Sequence, residues 1–379
     1  MEVKTIPRVL HNELVLLVAL SIVAFGVFVF TRNMAARQQR MEAGIAATWY
    51  ERGERLIASG QVEPAIQAFR RATAESRDTQ KYVLALANAL SAGNHESEAE
   101  DLLLQLRESH PENAEINISL ARLAAKQGET DEAVRYYQSA LYGRWTGDQV
   151  EERRNQLRKE LIGFLLQHQQ HQLASSELLI LEAGLPYDAA SHIEVAKLFL
   201  QAGDVRRAFK NYSAAVQLDH HNVDALRGAG ETSFLLGDYA QAVHYRRAEL
   251  ELDPSSTTSQ KQLALAEMVL EEDPLAPHLT DQERKDRLLA DFQRSLQRLD
   301  ACLGQIADAK ASAELQSLKA EALAMQPKLG RNKKPDFDTV RSAAGLIFRM
   351  EEAAARCGEL PVEDEALLLI GREHKGALP

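Results

Sequence analysis

Along most of this chain, apolar and small residues recur on two scales at once. Locally they return every three or four positions, the spacing that gives a helix one buried face. Over a longer interval the same types return every 34 residues: Ala65, Ala99 and Ala133 keep that step, and Ala174, Ala208 and Ala242 keep it again. Windows 46–79, 80–113, 114–147, 155–188, 189–222 and 223–256 each predict two helices joined by a tight turn. Position 8 is small or apolar (Gly53, Ala87, Ala121, Ile162, Ala196, Gly230), and position 15 is glycine in four of six copies (Gly60, Gly128, Gly203, Gly237). Position 24 is large in five (Phe69, Leu103, Tyr137, Leu178, Tyr212), and position 32 is proline in three (Pro111, Pro186, Pro254).

Each preference has a physical cause. Antiparallel helices approach closely only where side chains are small, at positions 8 and 20, and a large residue at position 24 fills the wedge left open. Glycine adopts the left-handed conformation that ends the first helix, and proline stops the second because it has no amide hydrogen to give. The pattern resembles the tetratricopeptide repeat, with Trp49, Gly53, Gly60, Ala65, Phe69 and Ala72 matching it closely in the first copy. The resemblance covers residues 46–256 and implies an all-α, right-handed superhelical array of helical hairpins that binds proteins. The chain departs from it in two places: Arg246 stands at position 24 of the last copy beside Tyr245, and Gln169 replaces the turn glycine of the fourth. Seven inserted residues, Asp148–Arg154, separate the third and fourth copies. They either lengthen a helix by about two turns, with Val150, Leu157 and Leu161 on one stripe, or extend a loop around "YGRWTGD".

The ends of the chain follow other rules. After an N-terminal tail (1–13), residues 14–31 are uncharged and apolar on all faces, a span of about 27 Å as a helix, which predicts a transmembrane segment. Bulky residues close the run where a signal peptidase needs small ones, so an uncleaved anchor is expected, followed by a juxtamembrane helix or linker over 32–45. Lys4 and Arg8 precede the span and Arg32, Arg37 and Arg40 follow it; side chains alone favour a cytoplasmic body, and the terminal amine makes a tie. The short leader tips the expectation to a body on the exported side of a single-pass protein. Beyond residue 256 the register ends. A capping helix over Ser259–Glu271 is expected, then a helix opened by the capping-box pair Thr280 and Glu283 and running to Leu303. Helices over Ala309–Met325, Asp338–Arg356 and Val362–Ile370 complete a small bundle, with "QPKLGRNKKPDFD" its least ordered connection.

Composition narrows the function. Among 379 residues the net charge is -11, which argues against a nucleic-acid binder with a general basic face. Cys302 and Cys357 are the only cysteines; their spacing fits no zinc or redox motif and leaves their pairing open. His168 with His171, and His220 with His221, read as polar surface and turn residues, so no metal site is expected. No phosphate-binding glycine loop, nucleophile elbow or zinc-protease motif occurs. Neither an enzyme, a cofactor nor a small-molecule substrate is expected.

The resemblance implies that first-helix side chains line a binding groove, which carries over to Asn88, Arg122, Lys126, Lys159, Lys197 and Arg227. Their charge suggests an acidic or carboxylate-bearing peptide, although Glu115, Asp224 and Glu231 share those positions. The family's carboxylate clamp is missing, since Tyr50, Glu54, Glu115 and Ser119 stand where it needs lysine, asparagine or basic residues. The expected function is a membrane-tethered interaction scaffold; the alternative is a holdase-like assembly factor for envelope or exported proteins.

Overall fold

Small residues set against large ones determine how the helices pair. The computed structural model describes residues 8–76, 79–306, 308–330, 336–358 and 360–375, with the side chains of 8–19, 35, 36 and 309 outside that description. No named strand occurs among the described residues, and the helices cluster into two compact units that divide between Leu161 and Ile162. The division falls inside a helix of the array rather than at residue 256, where the repeat register ends.

The first unit opens with α1 (Arg8–Ala58), a helix of 51 residues. The expected tail, span and linker are not separate elements here: from Arg8 on, one unbroken helix with no proline in it runs into the first half of the first hairpin. Residues 1–7 of the expected tail lie outside the described residues. Within α1, Leu20, Ile22, Phe25 and Phe30 stand 58–68% exposed, and nothing among the described residues covers them. The stretch is long and apolar enough to cross a membrane.

From Ala46 onward α1 packs on α2 (Val62–Glu75). A Cβ on Gly53 would lie 2.5 Å from the Phe69 ring, so position 8 is empty because position 24 occupies it. Further hairpins follow from α3 (Gln80–Ala92) and α4 (Glu96–Ser109), then α5 (Ala114–Gln127) and α6 (Thr130–Leu141). Their shared core contains Ile66, Phe69, Leu90, Leu103, Ile116 and Leu123, each worth about 1.5–3 kcal/mol when buried. The insertion satisfies both sequence readings: a loop runs to Gln149, and α7 (Val150–Gln167) then extends to 18 residues.

In the second unit the hairpins continue with α8 (His171–Ala183), α9 (Ala189–Gln201), α10 (Val205–Leu218), α11 (Val223–Leu235) and α12 (Tyr239–Leu252). The turn conformation outlives the turn residue. Gly60, Gly128, Gly203 and Gly237 all have positive φ, and Asn94 and Gln169 adopt φ of 61° and 59° at the same position. Asparagine adopts that conformation readily through its short polar side chain, whereas at Gln169 packing imposes a geometry the residue does not favour.

Arg246 explains its own departure from the pattern. It is 3% exposed, lies against Gly230, and fills the wedge with its stem. Its guanidinium donates to Glu249 (2.6 Å), Ser259 (3.3 Å) and Gln262, while the fully buried Glu249 also accepts from Ser259 (2.9 Å) and Arg227 (2.9 Å). A polar network thus replaces the aromatic and ties α12 to α13 (Thr257–Glu272).

Beyond α13 come α14 (Asp281–Leu303), α15 (Ala309–Met325), α16 (Phe337–Ala354) and α17 (Val362–His374). The Thr280–Glu283 capping box forms as expected. Gln326–Leu329 of the expected loose connection is a 3-10 turn, and its residues 331–335 lie outside the described residues. These helices are not an appended bundle. Leu288, Phe292, Ile347 and Ile370 share one core with Tyr239 and Ala242 of the last hairpin, because α13 presents Leu265 and Val269 between them. Cys302 and Cys357 form a disulfide, with their Cα atoms 5.4 Å apart, joining the ends of α14 and α16.

Asp291 of α14 is fully buried, its oxygens accept no hydrogen bond, and the nearest cation, Arg294, is 3.7 Å away. Burial, aided by the neighbouring Glu272 carboxylate, pushes its pKa up to about 8. A raised carboxylate favours the fold most below the unfolded value of about 4 and loses that contribution as pH rises towards about 8. Asp291→Asn abolishes this slope, so its thermal midpoint should match the parent at about pH 4 and exceed it increasingly up to about pH 8. A parallel pH dependence of both proteins would contradict the assignment. Separately, Glu249→Ala leaves Arg246 buried without its carboxylate and should cost about 3–5 kcal/mol in denaturant unfolding. Glu151→Ala, at an exposed pair on α7, should cost under about 1 kcal/mol.

Candidate functional site

Helical spacing places one side-chain stripe from each of three successive first helices around a common cavity in the first unit. Leu84 and Asn88 come from α3, Glu115, Ile118, Ser119 and Arg122 from α5, and Gln156, Leu157 and Glu160 from α7. Trp145, just before the insertion, and Arg153, within it, supply the remaining wall of a space of about 420 Å³. The steps of three and four residues within each helix are those that align side chains on one face.

The insertion wall is held by its own bonds. Arg144 N–H donates to Glu112 O (2.5 Å) and Arg144 O accepts from Ala114 N–H (3.1 Å), a short parallel bridge that pins the loop to the preceding turn. Trp145 Nε1 donates to Ala140 O (2.9 Å). Arg153 donates to Thr146 O (2.8 Å) and Glu115 Oε1 (2.7 Å), and its guanidinium lies 5.2 Å from the Trp145 ring centre. The indole therefore meets the cavity in a fixed orientation.

Opposite it, Arg122 makes a bidentate pair with Glu160 (2.8 and 2.7 Å), and Tyr137 Oη donates to the same carboxylate (2.8 Å). Burial works to raise the Glu160 pKa, but donation from Arg122 and Tyr137 outweighs it and holds the carboxyl below its usual range. Tyr137 is raised, first by burial and then by Glu160. The lining carries two arginines and two glutamates, so the cavity is charge-balanced rather than positive.

The six residues singled out from sequence separate here. Asn88 and Arg122 line the cavity. Lys126 does not; it donates to Ser91 O (2.6 Å) and Asn94 Oδ1 (2.7 Å) and pairs with Glu96 (3.1 Å), fastening its neighbouring hairpin. Lys159 lies on α7 outside the lining. Lys197 and Arg227 belong to the second unit, Lys197 beside Asp224 (4.0 Å) and Arg227 held by Asp224, Glu249 and Asp253. Sequence reasoning passed over Trp145, Arg153 and Glu160. The available signal was a tryptophan between Gly143 and Gly147 where the 34-residue period breaks.

A family model described as tetratricopeptide repeat matches residues 84–148 and 195–257, which supports such repeats in both units. Comparison with curated protein sequences returns no match. Among solved structures, the chain is similar to YrrB, described as a TPR protein with an unusual peptide-binding site, at 18% identity and a TM-score of 0.39, covering 52% of this chain and 97% of that one. It is similar to PilF of Pseudomonas aeruginosa at 17% identity and a TM-score of 0.39, over 59% and 98% of the two chains. The C-terminal part of a TPR repeat-containing protein of Cytophaga hutchinsonii is matched at 11% identity and a TM-score of 0.43, over 63% and 92%.

The Arg122–Glu160 pair sets an acid response. A depressed carboxylate contributes stability above the unfolded value of about 4.3 and loses it as pH falls through the lower folded value. Arg122→Gln should bring the Glu160 carbon-13 titration midpoint upward while costing no more than about 1 kcal/mol at neutral pH, the pair being partly exposed. An unmoved midpoint would remove Arg122 as the cause.

Proposed function

We propose that this protein is a membrane-tethered scaffold that holds a partner by a peptide segment seated across α3, α5 and α7. The observation that carries the reading is the cavity itself, whose walls are held by hydrogen bonds and therefore need little ordering when a ligand enters. Repeat arrays present such faces to their partners. Asn88 and Gln156 offer both donors and acceptors to a peptide backbone. Trp145, Leu84, Ile118 and Leu157 offer apolar patches between them. An acidic side chain would have to displace Glu160 or Glu115 from its arginine, so the groove suits a segment of mixed character better than a strongly acidic one.

The tether is the apolar part of α1, whose uncovered side chains would otherwise meet water. Because α1 continues without a break into the first hairpin, it would hold the array close to the bilayer and raise the effective concentration of a partner there. The Cys302–Cys357 disulfide supports a body on the exported side, since such bonds persist in oxidising compartments.

A photo-reactive residue placed at Ser119 of the full chain, in intact cells, should give one dominant adduct. Asn88→Ala should weaken binding of that partner's isolated segment about tenfold, the worth of one lost hydrogen bond to a ligand. Unchanged affinity in both Asn88→Ala and Trp145→Ala would reject the groove, and a ladder of many weak adducts would favour a holdase. Protease added on the exported side of the membrane should cleave the body; protection would reverse the orientation.

A further inference from the structure

The acidic partner expected at the first-helix face has a better site elsewhere on the first unit. On the second helices, α4 and α6, lies a groove of about 460 Å³ lined by Arg107, Arg135, Tyr136, Gln138, Ser139 and Tyr142, with no carboxylate in its lining. Arg107 has no ion pair among the described residues. Its guanidinium lies 4.9 Å from the Tyr136 ring centre and its Nε is buried without a hydrogen-bond partner. Among the described residues Arg135 is ion-paired only with the exposed Glu132, one helical turn away. Tyr142 stands 71% exposed at the end of α6, a large aromatic surface left in water.

The contrast with the first-helix face is chemical. There Arg122 and Arg153 are each already bonded to a glutamate, so an incoming carboxylate gains only by exchange. Here Arg107 is oriented by the tyrosine beneath it and has unused donors. A protein of net charge -11 repels acidic partners at long range, and a patch lined by arginine and tyrosine, with no carboxylate in its lining, is where one can be held at short range, directly on Arg107 and by exchange with Glu132 on Arg135. Arginine and tyrosine are also the residue types over-represented at the energetic centres of interfaces.

We infer that this groove on α4 and α6 docks an acidic segment of a protein partner, its carboxylates on Arg107 and Arg135 and an apolar or aromatic side chain against Tyr142. This surface is separate from the cavity of Asn88 and Arg122, and the two readings stand or fall independently.

The test uses the full chain in nanodiscs and a fluorescein-labelled peptide of alternating glutamate and glycine with one central tryptophan. The control peptide replaces each glutamate with lysine. Fluorescence anisotropy should give tighter binding of the acidic peptide, weakening as salt rises from about 50 to about 300 mM. Arg107→Gln with Tyr142→Ala should weaken it about tenfold or more, the loss typical of interface anchors. Arg122→Gln should leave it within about twofold, as expected for an independent site. Arg107→Glu would place a negative charge in the last turn of α4, so Arg107→Gln is the primary variant and Arg135→Gln the second. Helical circular dichroism and the thermal midpoint check that each variant folds. No preference for the acidic peptide, or a loss confined to Arg122→Gln, would overturn the inference. Self-association of the chain abolished by Arg107→Gln would also overturn it, by making the face homotypic.

Discussion

The close approach of paired helices depends on a small residue standing opposite a large one. Gly53 lies where Phe69 needs the space, and Gly228 leaves room for Tyr212, whose ring would fall 2.2 Å from an added Cβ. This interlock does more than bury area. It sets the distance and register between helices, and each later side chain inherits its position from it. The last hairpin tests the rule from the other side. Arg246 fills the wedge with its stem against Gly230, and its charge then requires Glu249, Ser259 and Gln262 in support. Glu249 pairs with the guanidinium from α12 itself, while Ser259 and Gln262 of α13 satisfy its remaining donors and cover it, so the final repeat and its cap share one buried network.

The two faces of the first unit follow from the same packing. First helices turn their polar stripes towards one another, so opposite charges meet across the cavity and neutralise one another. On the second helices Arg107 lies over the Tyr136 ring, and no carboxylate lines their groove. Charge counted by position along the chain therefore misjudges where positive potential is available. What matters is whether a carboxylate on the next helix lies within reach, and that is a property of register.

The insertion interrupts the period without disturbing the interlock. Its loop leaves the array after α6, is pinned back by the Arg144 bridge, and returns as the first turns of α7. The extra residues thus add Arg153 to an existing surface and hold Trp145, which just precedes them, in place. In an array of similar hairpins, such a break supplies side chains that the repeat cannot, and individuality is built there.

Much of the fold was legible in the amino-acid order because its causes are local. Helix periodicity, the 34-residue step, the Thr280–Glu283 cap and the small residues at position 8 each act over one hairpin or less. The places of Asn88 and Arg122 on the cavity wall were legible for the same reason, a fixed position on a first helix. The left-handed turn at Gln169, the burial of Arg246, the Cys302–Cys357 bond and the union of the C-terminal helices with the last hairpin were decided only in three dimensions. So were the partners of Lys126 and Arg227, and the meeting of Trp145, Arg153 and Glu160 around one cavity. Each depends on which groups from distant segments share a low-dielectric or sterically closed space, and no periodicity along the chain encodes that distance.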